Sequence, residues 1–276
     1  MILPSTPVMN YQLYHPSRLL SSFVKCYWTM EGNELPGTQQ RVFPDGCMEL
    51  IFHYGDLFSR YHSDGSSVYQ PRSFIHGQLT QFIEIGGNGV VGIFSVRFYP
   101  GGLKPFISLS SDELNNASIN IMEIWGNDGR ELEERMLHAK NNDERLQIIE
   151  RFLLLKLRST TANKLVDQCV SAIDLCKGNI NINDLSLQLN ISRRQLERQF
   201  IAATGLNPKQ YARIARLQSV LTLSAQKKYS SLTELAYDSG FYDQAHFTND
   251  FKAFTGLSPK QYFSKHLPLV NFFSME

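Results

Sequence analysis

Apolar and polar positions change period along this chain. Over residues 1–107 the apolar residues fall in short runs rich in β-branched and aromatic side chains: CYWTM, MELIFHY, RSFIHG, FIEIG and VVGIFSVRFY. The segments PG, PDG, GD, SDGSS and GGNG separate them, and runs bounded in this way predict strands. Many short strands spaced by turns predict a small β-barrel or sandwich. From Ser110 the period becomes helical. Ser111, Asp112, Glu113 and Leu114 predict the start of one helix. Residues 143–158 (DERLQIIERFLLLKLR) predict another, with Leu146, Ile149, Phe152, Leu153 and Leu157 as a broad apolar stripe. Packing on the barrel and a dimer contact both fit that stripe, because spacing alone does not separate them. Residues 159–163 (STTAN) read as a linker.

Beyond the linker a stretch occurs twice. Residues 196–211 read LERQFIAATGLNPKQY and residues 247–262 read FTNDFKAFTGLSPKQY, a constant offset of 51 residues. A repeat that keeps Phe, Gly and Pro while changing its charges has duplicated a fold and not a catalytic site. Gly205 and Gly256 suit a left-handed helix end, and Pro208 and Pro259 suit the first turn of the helix that follows.

What precedes each copy completes the motif. Ile182, Leu185 and Leu189 line one face of a short helix with Asn183 or Asp184 near its start. Asn190 takes the left-handed turn, Ser192 caps the next helix, and Gln195 three residues on completes a capping box. That helix buries Leu196, Phe200 and Ala203 and turns Arg193, Arg194, Glu197, Arg198 and Ile201 outward. In the second copy Leu232, Leu235 and Ala236 face inward, Gly240 makes the turn and Phe241 seals it. Asp243 caps a helix with Phe247, Phe251 and Phe254 inside. Ala245, Thr248, Asn249 and Lys252 lie outside, with Gln244 and His246 at the leading edge. Helix, tight turn and helix, twice, is the pattern of a helix-turn-helix reading head. Residues 208–224 predict a rigid helix between the heads, apolar at Tyr211, Ile214, Leu217, Val220 and Leu221. Two heads reading successive turns of DNA stand roughly 34 Å apart.

Residues 166–267 resemble the DNA-binding domain of the AraC/XylS transcription regulators. The resemblance rests on DLSLQLNISRRQLERQF and ELAYDSGFYDQAHFTNDFKAFTGLSPKQY. It implies an all-α domain of seven helices, two helix-turn-helix units and a linker helix set in adjacent major-groove segments of double-stranded DNA, with RNA polymerase as a further partner. Carried over by position, base reading falls to Arg194, Glu197 and Arg198 in the first head. In the second it falls to Gln244, Ala245, His246, Thr248 and Asn249, while Asn249 and Asp250 depart from the basic residues of many relatives. With the flanking Arg193 and Lys252, these residues make up the candidate DNA-binding set. Residues 41–56 (RVFPDGCMELIFHYGD) and 92–106 (GIFSVRFYPGGLKPF) are similar to the cupin-like β-barrel that precedes some such domains. That likeness implies a sensor or dimerisation barrel without naming an effector.

The fold class expected is therefore α+β. A small N-terminal barrel (1–109) carries a helical appendage and linker (110–162), and an all-α domain with two helix-turn-helix units follows (163–276). A chain of 276 residues suits two domains. Its net charge of +1 hides an asymmetry. Residues 163–266 hold 13 Lys and Arg against 8 Asp and Glu, whereas residues 1–162 hold 14 against 17. A basic repeat domain beside an acidic half fits a DNA binder with a sensor. The start MILPSTPVMN lacks the basic region of a signal peptide, and the apolar run near Phe152 is too short for a bilayer, so a cytoplasmic location is expected. Cys26, Cys47, Cys169 and Cys176 lack CxxC spacing and read as buried thiols in a reducing compartment.

Three constellations suggest an enzyme and each has a plainer reading. Gly86, Gly87, Asn88, Gly89 and Gly92 lack the Lys and the following helix of a phosphate cradle, so a hairpin turn is expected. His53, His62 and His76, with Glu49 or Cys47, match no metal-ligand spacing. No G-x-S-x-G elbow organises the Ser, His and Asp residues. The reading is a sequence-specific DNA-binding transcription regulator, with no cofactor, no metal and no catalytic residue. Its N-terminal barrel is set by a small-molecule effector, by a partner or by pairing into a homodimer. Two alternatives are a helical protein-interaction module and a barrel enzyme or metal-binding cupin with a regulatory tail.

Overall fold

The computed structural model describes residues 9–34, 37–87, 89–158, 163–226 and 229–264. It divides into two compact units. The first comprises Met1–Gln40, Cys47–Gly77 and Ile83–Ala162; the second comprises Asn163–Glu276 together with Arg41–Gly46 and Gln78–Phe82. The 159–162 part of the expected linker, the N-terminal MILPSTPV and Asn88 lie outside the described residues.

The strands are β1 (Asn10–Tyr14), β2 (Val24–Asn33), β3 (Gln40–Val42), β4 (Met48–His53), β5 (Ser59–Tyr61), β6 (Ser67–Tyr69), β7 (Ser73–His76), β8 (Ile83–Gly86), β9 (Val90–Phe98) and β10 (Ser118–Asn120). These form two sheets, ordered β1-β2-β9-β4-β7-β10 and β3-β8-β5-β6. The strand pairs are antiparallel, with Tyr27 opposite Val96 and Leu50 opposite the same Val96 across the two sides of β9. Period-2 alternation decides what each face of β9 does. Phe94, Val96 and Phe98 enter the core with Leu50, Phe52 and Tyr27. On the opposite face Arg97 pairs with Glu49 at 2.8 Å, and the Ser95 hydroxyl donates to the same carboxylate. Those two charges are cross-strand neighbours in register, which is how a buried pair is held in place.

The expected closed barrel is replaced by these two open sheets. Strand pairing of the larger sheet ends at β1 on one side and at the three-residue β10 on the other, and no ladder joins them among the described residues. The glycine-rich segment is also not a hairpin. β8 pairs with β5 in one sheet while β9 pairs with β2 and β4 in the other, so the segment crosses between sheets. The helix expected at Ser111 is a run of turns. The Glu113 carboxylate accepts the Ser110 amide there, and Asn116 has a left-handed φ of 58°. The helix starts later, as α1 (Ile121–Trp125), under a capping box made by Asn120 and Glu123.

α2 (Asn127–His138) and α3 (Asn142–Lys156) complete the unit. Ile149 and Leu153 of the expected stripe are fully buried in the sheet's core, and Leu146, Phe152 and Leu157 pack around them. Arg145 donates to the carbonyls of Met136 and Ala139, which satisfies the end of α2. His53 is buried between Phe58 and Phe74 with Nε2 3.2 Å from Gln70 Oε1, and burial pushes its pKa down to about 4. No group of three His, Cys, Asp or Glu side chains able to hold a metal ion is present among the described residues. No disulfide joins Cys26, Cys47, Cys169 and Cys176. Cys169 is buried, but Cys176 is exposed because it ends its helix, a departure from the expected set of buried thiols. No described helix is long and apolar enough to cross a membrane.

The second unit holds α4 (Lys164–Leu175), α5 (Ile182–Gln188), α6 (Arg193–Thr204), α7 (Pro208–Ala225), α8 (Leu232–Asp238), α9 (Gln244–Thr255) and α10 (Pro259–Ser264). These seven helices share one core, in which Tyr211, Ile214, Leu217, Val220 and Leu221 of α7 meet Phe200 from α6 and Phe251 from α9. An apolar face at helical spacing is what lets α7 touch both heads.

Candidate nucleic-acid interface

Each head is two helices joined by a tight turn, and local chemistry sets the turn. α5 ends where Asn190 adopts φ 53°, and the Ile191 amide closes back on the Ser186 carbonyl at 3.1 Å. α8 ends where Gly240 adopts φ 83°, and the Phe241 amide closes on the Ala236 carbonyl at 3.0 Å. Asn and Gly are the residues that tolerate this backbone. The second turn is one residue longer. Its extra residue, Tyr242, stands 87% exposed directly before the cap of α9. Sequence reasoning passed over it. The signal was available, since the offset between the heads is 50 residues before the turn and 51 after it.

The recognition helices start alike. Ser192 accepts the Gln195 amide at 3.2 Å, and Asp243 accepts the His246 amide at 2.7 Å. The expected reciprocal contact from Gln195 is not among the bonds of the described residues, so the first head has half of a capping box. Full boxes form one helix later. Asn207 and Gln210 make one at α7, and Ser258 and Gln261 make the other at α10. That accounts for the Gln shared by both copies of the repeat.

They also end alike. The Thr204 hydroxyl donates to the Phe200 carbonyl at 2.8 Å and accepts the Leu206 amide, and Thr255 does the same with Phe251 and Leu257. Gly205 and Gly256 follow in the left-handed conformation. At the end of α9, the Phe82 amide and the Arg41 guanidinium take the carbonyls of Phe254 and Thr255, at 3.0 and 2.9 Å. The Thr-Gly-Leu of the repeat is therefore a helix-ending device.

The outer faces differ. On α6, Arg193, Arg194 and Arg198 are exposed. Arg193 donates to Glu197 at 2.8 Å and to Asn183 at 3.1 Å, which ties the start of α6 to α5 and occupies the Glu197 carboxylate. Arg194 and Arg198 make no hydrogen bond or ion pair among the described residues. Their guanidinium forks are unengaged. On α9, Gln244, Ala245, Asn249 and Lys252 are exposed, while the Thr248 hydroxyl donates to the Gln244 carbonyl at 2.8 Å.

Asp250 faces inward. It is 5% exposed and accepts the Arg213 fork at 2.8 and 3.1 Å, with Arg216 Nη2 at 3.7 Å. Both arginines belong to α7. This pairing is the physical reason that an acid stands on a recognition helix: it binds that helix to the linker helix. His246 lies at the rim of the same network. Its Nε2 is 3.4 Å from Asp250, its ring meets the edge of Phe241, and its side chain is 44% exposed. Its side chain is thus shared between the outer face and the network.

Residues 185–265 match the model of a family described as a helix-turn-helix domain. The match spans both helix-turn-helix units of the second unit. Residues 12–120 match a second family, described as a domain of unknown function. Among curated proteins the chain is similar to the HTH-type transcriptional activator RhaS of Escherichia coli O157:H7 (strain EC4115 / EHEC), 29% identical over 116 residues. RhaS of Escherichia coli (strain K12 / DH10B) matches to the same extent. In each case the match covers 39% of this chain and 41% of the relative, so this chain spans less than half the length of the relatives it matches. Among solved structures, ToxT from Vibrio cholerae O395 is 15% identical with a TM-score of 0.44, covering 96% of this chain and 99% of its own. Wild-type ToxT from Vibrio cholerae strain SCE256, bound to an unsaturated fatty acid, is 12% identical with a TM-score of 0.41, covering 94% of this chain and 95% of its own.

Proposed function

We propose that the whole chain is a sequence-specific transcription regulator whose α6 and α9 enter two adjacent major-groove segments of one DNA site. The observation that carries this reading is the duplicated helix-turn-helix, with Arg194 and Arg198 exposed and unengaged on α6. An arginine fork set bidentately on guanine is the commonest specific contact in the major groove. Glu197 is held by Arg193 and serves to accept from cytosine or to fix register against phosphate. In the second head Gln244, Ala245, His246, Thr248 and Asn249 meet the bases, and Lys252 meets the backbone.

The N-terminal unit, over residues 1–109 with the helices of 110–162, acts as a cupin-like sensor or dimerisation domain. A ligand or partner there shifts the DNA-binding geometry only through different affinities for two states of the protein. RNA polymerase is the further partner at a promoter. DNA selection with the purified full-length protein tests the reading, with affinity for the winning site measured across salt concentrations. The expected result is a bipartite site with its halves about one turn apart and a steep salt slope that Arg194→Ala and Arg198→Ala reduce. Uniform weak binding to every sequence, for the full chain and the 163–276 fragment alike, overturns it.

A further inference from the structure

A cavity of about 240 Å³ opens between α5, α6 and α7, lined by Ile180, Asn181, Ile182, Asn183 and Ala212 together with Arg193, Lys209 and Arg216. Three cations and no carboxylate line it. Asn183 Oδ1 holds the Arg193 fork at 3.1 Å. Arg216 is fixed deeper in, donating to the Gly178 carbonyl from a side chain only 13% exposed. The Lys209 ammonium is exposed and makes no hydrogen bond or ion pair among the described residues. Glu197 is engaged by Arg193, and Asp250 by Arg213 and Arg216. Lys209 is thus the cation of the lining without a carboxylate partner among the described residues.

The repeat supplies an internal control. Fifty-one residues on, Arg193 is replaced by Gln244, Ala212 by Phe263 and Arg216 by Leu267, and of the three cations only Lys209 has a basic counterpart, Lys260. Phe263 packs against Phe251 and Tyr262 at ring distances of 5.8 and 5.2 Å, so an aromatic side chain stands at the position that Ala212 leaves open in the first head. The charges that line the cavity are therefore particular to the first head's sequence, whereas the repeated Phe, Thr, Gly and Pro are common to both.

We propose that this cavity is a phosphate site, and that its occupant is a phosphodiester of the DNA backbone beside the first head. The inference rests on the DNA-binding reading above and extends it. Lys209 supplies an unpartnered ammonium at the mouth, Arg193 a guanidinium held by Glu197 and Asn183, and Arg216 a buried charge beside them. A backbone phosphate held there sets the register in which Arg194 and Arg198 meet bases without itself carrying sequence information.

The test uses the full-length protein and the DNA site it selects. Lys209→Gln removes an exposed charge, and Ala212→Phe fills the cavity with the second head's own residue and leaves the charge unchanged. Lys140→Gln, on the other unit, is the control. Lys209→Gln is expected to lower the steepness of log affinity against log salt by about 1 and to weaken all sequences alike. Ala212→Phe is expected to do the same, provided its DNA-free melting curve stays cooperative; Lys209→Gln decides the matter if it does not. A second arm titrates inorganic phosphate at constant ionic strength against DNA-free protein. An unchanged slope, with phosphate raising the Tm of the wild type and not of Lys209→Gln, assigns the cavity to a free phosphate and overturns the backbone as its source. An unchanged slope with no phosphate effect overturns the site, while selective DNA binding by the wild type leaves the function standing. If the wild type selects no site, the function itself fails, and the phosphate arm alone decides the cavity.

Discussion

In the first head Arg194 and Arg198 stand exposed on α6; in the second the matching positions hold Ala245 and Asn249. One residue beyond Arg198, Gln199 of the first head is matched by the buried Asp250, clasped by Arg213 and Arg216. The two heads share their caps, their Thr-Gly helix ends and their aromatic cores, yet they dispose of charge in opposite ways. The first presents arginines outward and keeps a cationic cavity beside them. The second places an acid inside its recognition helix and spends two arginines of α7 on holding that helix still. Duplication preserved the scaffold, and divergence reassigned electrostatics. In this account the first head anchors and reads with arginines, and the second is fixed by the linker helix and reads without them.

The shared scaffold is tested by the largest changes. Phe200→Ala and Phe251→Ala remove fully buried rings at equivalent places, and each is expected to cost about 3–5 kcal/mol in denaturant unfolding of the protein. A loss confined to one of them would show that the heads do not share their core equally. Asp250→Asn comes next and should separate the heads. It leaves Arg213 and Arg216 without their carboxylate, at a cost of about 2–3 kcal/mol after allowing for the one-third exposure of Arg213. Gln199→Asn, its counterpart in the first head, is expected to stay within about 0.5 kcal/mol.

The organisation of the second unit was legible in advance because its signals are local. Asn190, Ser192, Gly205, Pro208, Gly240 and Asp243 each announce a turn or a helix end within a single helical turn, and they did so at the right places. Strands β2, β4, β7, β8 and β9 were legible for the same reason, as apolar runs between turn residues. The misses are non-local. Whether β8 and β9 pair is decided by β5, β2 and β4, not by the glycines between them, so a hairpin was expected where the chain changes sheet. Strands β3, β5, β6 and β10 are three residues long and too short to show a period. The turn at Ser111 begins like a helix, but Glu113 bonds backward to the Ser110 amide. The inward role of Asp250 depends on Arg213, 37 residues away, and no period in α9 announces it.

Smaller effects sharpen the contrast further. Arg194→Ala and Arg198→Ala are each expected to weaken the selected site by about 1–3 kcal/mol and to relax preference at one base, with thermal stability unchanged. Ser192→Ala and Asp243→Ala each remove a cap from a recognition helix. Both should lower stability by about 1 kcal/mol, and near-equal values in the two variants would mark the caps as scaffold and not as reading residues.

The central claim is that the heads divide their labour by charge. The most direct measurement is the salt dependence of affinity for the selected bipartite site, compared between the Arg194→Ala/Arg198→Ala pair and the Gln244→Ala/Asn249→Ala pair in the full-length protein. The account predicts that the first pair flattens the slope and loses more than about tenfold in affinity. The second pair should keep the wild-type slope and lose only discrimination within its own half-site. Equal flattening by both pairs, or a slope that only the second pair changes, would contradict it.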